Sequence, residues 1–135
     1  MNKSYEKPDV KSRSIQPGEI EAGSRFAQKR AVPRFPFAAR AAIVEPITRL
    51  EFSAKTSDIS AKGCYVERMD QLPVNTVIRI RIEAAAESFE SWGRVVHVTA
   101  GRGSGIAFFE TPAEQQRTLD KWVGAASESL KIERE

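Results

Sequence analysis

Residues 78–82 read IRIRI, so Ile78, Ile80 and Ile82 alternate with Arg79 and Arg81 without a break. A period of two sends successive side chains to opposite faces of a pleated strand, and TVIRIRIE therefore predicts an antiparallel strand with one buried and one wet face. The same reading makes ARAAIVEP a strand stopped at Pro46. In TRLEFSAKTSDIS, Leu50 and Phe52 alternate with Arg49, Glu51 and Ser53, which predicts a half-buried strand, and GCYVERM restarts the pattern after Gly63. ESFESWGRVVHVT is longer, and Gly93 within it marks a bulge or sharp bend. GRG then turns the chain into SGIAFFE. About six strands at short spacing, with little helix between them, predict a small antiparallel barrel or sandwich.

After Phe109 the apolar period lengthens. Leu119, Trp122, Val123, Ala126 and Leu130 follow helical spacing and give one apolar face, which is expected to pack on the barrel. Thr111 as N-cap, Pro112 at the first helical position and Glu114 three residues after the cap form a capping box. Gly124 costs such a helix about 1 kcal/mol relative to alanine, which predicts a bend or a close backbone approach there.

A chain of 135 residues suits one domain with a single core. Residues 1–26 have few apolar positions and no sustained period, and read as a flexible N-terminal arm. The domain then covers residues 27–131, with a barrel over 37–110 and a helix over 111–131. Cys64 is the only cysteine, so neither an intrachain disulfide nor a cysteine-based metal cluster is expected. There is no apolar leader and no run long enough to span a membrane, and the expected location is the cytoplasm. The single histidine, His97, lies within a predicted strand without a recognisable catalytic neighbour, and no phosphate-binding glycine loop or metal-ligand spacing occurs. The expectation is no enzyme, no metal and no cofactor.

The net charge is +3, and its distribution says more than the sum. Arg25, Lys29, Arg30, Arg34 and Arg40 fall in one stretch without an acid, whereas acids outnumber bases after Phe109. One local basic patch suits a compact anionic partner better than a long nucleic acid, which usually meets a broader stripe. Within the patch, KRAVPRFPF places Arg30 and Arg34 four apart, yet Pro33 and Pro36 keep the segment out of a helix. A second cluster, DISAKG from Asp58 to Gly63, sits between two strands. It reads either as a turn, with Asp and Ser bonding local N–H groups and Gly supplying a positive φ, or as a rim offering a carboxylate and a hydroxyl to a base edge.

Together, Arg30-xxx-Arg34 and the later Asp58-x-Ser60-xx-Gly63, in a chain of this pattern, resemble the PilZ domain family. The resemblance runs over residues 28–125 and includes RVVHV, GSGIAFFE and the closing helix. It implies an all-β fold, a six-stranded antiparallel barrel with a C-terminal amphipathic helix, that binds the bacterial second messenger cyclic di-GMP on its outer surface. Arg30, Arg34, Asp58, Ser60 and Gly63 would be the ligand-binding residues, with Lys29 as an additional contact favouring a stacked pair of nucleotides. The arginines offer planar forks to phosphate and to guanine O6 and N7, and an ionised Asp58 accepts from guanine N1–H and N2–H. The implied output is a change in loop position read by an unidentified downstream protein, in motility or biofilm control. The alternatives are a PilZ-like adaptor working by protein contacts alone and a small barrel binding single-stranded nucleic acid.

Overall fold

The computed structural model describes residues 32–134. Pairing begins with a two-residue strand, β1 (Phe35–Pro36), followed by β2 (Arg40–Glu45), β3 (Leu50–Ser60), β4 (Gly63–Glu67), β5 (Val77–Ala84), β6 (Glu87–Thr99) and β7 (Gly103–Phe109). A helix, α1 (Ala113–Arg134), ends the chain. All pairings are antiparallel, and β3–β2–β5–β6–β7–β4 closes through the β3–β4 pairing into a six-stranded barrel. Strand β1 lies on the same edge of β3 as β2, further along, with Phe35 opposite Ile59 and Pro36 opposite Asp58. The break between β1 and β2 is pinned by Thr56, whose buried hydroxyl accepts from Ala39 N at 3.0 Å and donates to Phe37 O at 2.5 Å.

The inward positions form one core. Ile78, Ile80 and Ile82 are fully buried, as their alternation predicts, and meet Ile43, Ile59, Val66, Phe89 and Val95. Helix α1 lies against β6 and β1 and buries Leu119 and Trp122. The Trp122 ring stacks on Phe37 at 5.4 Å and faces Phe89 at 6.4 Å. Polar ties add to this packing: Gln115 Oε1 accepts from Glu90 N at 2.7 Å, Gln116 Nε2 donates to Ala61 O at 3.2 Å, and Lys121 meets Glu87 at 2.8 Å.

Several local expectations are corrected. Leu50 is 52% exposed rather than half-buried, because it and Ile47 (90% exposed) belong to the end of the β2–β3 hairpin, away from the core. The bulge in β6 falls between Val95 and His97, not at Gly93. Gly93 instead allows close packing, since a Cβ there would come within 2.7 Å of Ile106 Cγ2. The capping box also differs: the first i→i+4 bond runs from Gln116 N to Pro112 O at 2.9 Å, and the Thr111 hydroxyl sits 2.8 Å from Ser91 Oγ. No atom approaches within 4 Å of a Cβ built at Gly124, so no close backbone contact explains that glycine. Trp92 and Phe109 are half-buried cross-strand neighbours, each under an arginine: Arg79 over Trp92 at 5.1 Å and Arg94 over Phe109 at 5.5 Å.

Candidate functional site

Asp58 reaches the outer face of the barrel through a bulge. The β3–β4 register shifts between Thr56 and Asp58, after which Asp58 pairs with Tyr65, and Ile59 and Cys64 turn inward as a buried pair. On the other edge of β3, Pro36 lies opposite Asp58. That pairing brings the preceding Arg34 within reach, and its Nε lies 3.8 Å from Asp58 Oδ1. At this separation the two form an ion pair without a hydrogen bond. The side chains remain 36% and 27% exposed respectively, but Asp58 Oδ1 itself is inaccessible and has no hydrogen-bond partner among the described residues. A desolvated carboxylate oxygen without a donor is rare in a folded protein.

The turn after Asp58 is held from within. Ser60 is buried, and its hydroxyl donates to Gly63 O at 3.3 Å while accepting from Lys62 N at 3.1 Å. Ala61 and Lys62 form the two-residue connection between β3 and β4. Gly63 does not have the positive φ expected of a turn glycine. Its requirement is steric: a Cβ would overlap the Ile106 carbonyl oxygen on β7, with Ile106 C at 3.3 Å and Ala107 Cα at 3.4 Å. Behind the site, burial pushes the Cys64 thiol far above its ordinary range, the Asp58 charge adds to this and Arg34 opposes it, so Cys64 stays protonated and unreactive.

Of the residues singled out in the sequence, Arg34, Asp58, Ser60 and Gly63 are therefore gathered around one end of β3. Lys29 and Arg30 lie outside the described residues. Arg40 is exposed on β2. A row missed by sequence reading runs sideways from Asp58: Asp58 pairs with Tyr65, Tyr65 with Gly105, and Gly105 with His97, across β3, β4, β7 and β6. The alternation of Cys64, Tyr65 and Val66 signals an outward Tyr65, but its alignment with His97 depends on register, which one strand cannot reveal. No helix among the described residues is long and apolar enough to cross a membrane, and no metal-ligand cluster occurs among them.

The sequence profile of the PilZ domain matches residues 28–125, covering both motifs, the barrel and most of the helix. The chain belongs to the PilZ domain family. Solved structures share its fold at low identity. The PilZ domain of YcgR from Escherichia coli, solved with c-di-GMP, superposes with a TM-score of 0.63 at 11% identity, over 79% of this chain and 98% of that one. The PilZ domain of CeSA from a cellulose-synthesizing bacterium gives 0.57 at 21% identity, over 69% and 96%. MotI/DgrA, the inhibitor of motility of Bacillus subtilis, gives 0.63 at 18% identity over 76% of this chain, which spans only 52% of that longer protein. The comparison with curated proteins finds no match.

Proposed function

We propose that this PilZ domain is a receptor for cyclic di-GMP, without enzymatic activity, acting in the cytoplasm where that messenger is made. The observation that carries the reading is the Asp58 carboxylate, whose Oδ1 lacks a donor among the described residues and lies 3.8 Å from the Arg34 guanidinium. Guanine presents the complement of this pair: N1–H and N2–H donors for a carboxylate, and O6 and N7 acceptors for an arginine fork. Arg34 also serves a phosphate, and Arg30 supplies a second fork from the preceding segment. Ser60 and Gly63 set the position of Asp58 by fixing the turn and letting β4 approach β7. Lys29 adds positive charge for a second, stacked nucleotide.

Ligand phosphates neutralise Lys29, Arg30 and Arg34 and draw that stretch toward the barrel, altering the surface offered to a downstream protein. The PilZ domain of YcgR with its c-di-GMP supports the ligand by likeness of fold, and the B. subtilis inhibitor of motility is the parallel for an output in motility.

Calorimetric titration of cyclic di-GMP, with GMP as control, tests the reading on the wild type, Arg34→Ala and Asp58→Ala. Charged hydrogen bonds contribute about 1.5–3 kcal/mol each, so each variant should lose about 100-fold or more in affinity. Neither should lose more than about 1 kcal/mol of stability, because a partly exposed ion pair contributes little. Absence of binding by a folded wild type would sink the receptor reading in favour of a nucleotide-independent adaptor.

A further inference from the structure

The two ends of the barrel are closed differently. Helix α1 lies at one, where Trp122 packs on Phe37 and Phe89. The other is closed by the β4–β5 connection, residues 68–76, which buries Met69 and Leu72 and is flanked by the β2–β3 and β6–β7 turns. Arg68 N donates to Arg102 O at 2.5 Å and Gly101 N to Asp70 Oδ2 at 2.6 Å, which ties the connection to the β6–β7 turn. Scattered exposed apolar side chains are ordinary in a folded protein. Here the four large ones exposed among the described residues, Ile47 (90%), Leu50 (52%), Val74 (49%) and Val96 (50%), all stand at this second end. The β2–β5 register, continued past Val44 and Arg79, sets Ile47 beside Thr76, and Leu50 pairs with Glu45 in the same hairpin. Asn75 N donates to Val95 O at 2.7 Å, which brings Val74 near Val96.

The two most projecting loops are braced with their apolar side chains outside. Ile47 and Val74 each follow a proline, Pro46 and Pro73, which restricts the backbone at both tips. The Glu45 carboxylate accepts from Ile47 N and Thr48 N, both at 2.9 Å, and the Thr76 hydroxyl donates to Pro73 O at 2.7 Å. Arg49, Arg68 and Arg102 are exposed on the same connections, and none is ion-paired with a described residue. Asp70, the one acid on these connections, is held by Gly101. Of the nearest strand acids, Glu67 lies opposite Lys55 and Glu51 opposite Val44, both on the outer wall. Three clefts lie beside Glu87, Phe52 and Trp122, and none is lined by any of the four apolar residues. These side chains project instead of lining a groove. A docked peptide needs a groove, whereas a bilayer surface takes projecting apolar side chains into its acyl boundary and meets arginines with lipid phosphates.

We propose that this end of the barrel docks on an anionic lipid bilayer, with Ile47, Leu50 and Val74 entering the headgroup region and Arg49, Arg68 and Arg102 meeting lipid phosphates. Binding at such a surface scales with buried apolar area plus attraction to anionic lipid, and this end supplies both. Leu50 and Asp58 stand roughly 25 Å apart along β3, so the Arg34–Asp58 site lies clear of the docked end. The inference stands independently of the receptor reading.

Co-sedimentation of the full chain with vesicles of phosphatidylglycerol and phosphatidylcholine, against pure phosphatidylcholine, tests it. Wild-type protein should bind the anionic vesicles only. Each arginine at an anionic surface is worth about 5-fold in partitioning, so Arg49→Ala with Arg102→Ala should weaken binding about 25-fold. Arg117→Ala, exposed on α1 at the opposite end, should change it by about 2-fold at most, because its distance from the lipid exceeds the screening length. Ile47→Ser with Val74→Ser should weaken binding about 10-fold or more. All these side chains are exposed, and the melting temperatures should match the wild type. Cys64 is buried, so a polarity-sensitive fluorophore attaches to Ile47→Cys alone. Its emission should shift to the blue on anionic vesicles, and the same fluorophore on Arg117→Cys should not respond. Should the double serine variant fail to fold, the fluorophore decides. Equal weakening by Arg117→Ala, or an unshifted fluorophore at residue 47, means diffuse adsorption of a basic chain and overturns the proposal. Absence of binding to anionic vesicles also overturns it and leaves this end to an acidic segment of a partner protein.

Discussion

Gly63→Ala separates two meanings of a motif glycine. In the barrel, Gly63 ends the site turn and pairs with Ala107, and a methyl group there would overlap the Ile106 carbonyl oxygen while pressing on the Ile106 carbonyl carbon and Ala107 Cα. All three obstacles are backbone, held by the β4–β7 ladder, so no side-chain rotation relieves them. The two strands must part locally. Overpacking of this kind costs about 1–3 kcal/mol, and the loss of one ladder hydrogen bond adds about 1 kcal/mol. The expected destabilisation is roughly 2–4 kcal/mol, or about 10–25 °C in melting temperature for a domain of this size. Urea and thermal unfolding followed by circular dichroism measure it. Cyclic di-GMP titration well below the variant's melting temperature then tests whether binding survives when the fold does. A variant that melts with the wild type would refute the steric argument and return Gly63 to a role at the ligand.

Two further predictions concern hairpins. The β5–β6 connection has only Ala85 and Ala86, at φ 52° and 64°, in the left-handed region that favours asparagine and glycine. Ala85→Asn with Ala86→Gly should raise stability by about 1 kcal/mol and the melting temperature by about 4–8 °C; an unchanged or lower melting temperature contradicts the turn assignment. In the β2–β3 hairpin, the Glu45 carboxylate accepts from the Thr48 hydroxyl and from the Ile47 and Thr48 N–H groups, both at 2.9 Å, which lowers its pKa. A lowered folded-state pKa means that the stabilisation is complete above the ordinary glutamate range and is lost as pH falls through it to the folded value. Glu45→Gln should therefore destabilise at neutral pH, with a gap to the wild type that closes on acidification; a gap constant with pH excludes the carboxylate as its source.

The strands were legible wherever burial imposed a period of two, as in Ile78, Ile80 and Ile82, because each choice of side chain there reports its own environment. Arg34 and Asp58 were singled out only by the two motifs taken together, because each stretch alone reads equally well as a solvated charge run or an ordinary turn. The reason for Gly63 was not legible, since its contact with Ile106 joins strands distant in sequence. The β6 bulge is hidden for a related reason: Val96 and His97 face the same way only relative to β7, and β-branched residues on both sides conceal the slip. The arginines over Trp92 and Phe109 were hidden as well, since only the register sets Arg79 and Arg94 over those rings and lets them stand on the outer face.

Gln116, near the start of α1, donates to the carbonyl of Ala61 in the turn between Ser60 and Gly63, and the same amide donates to Asp120 at 2.9 Å. The turn is thus fastened to the helix as well as to its own strands. Opening the first turn of α1 removes a support from the β3–β4 corner, and displacing that corner removes one from the helix. Their local stabilities are consequently shared, and the two segments form one cooperative unit in the hierarchy of partial unfolding.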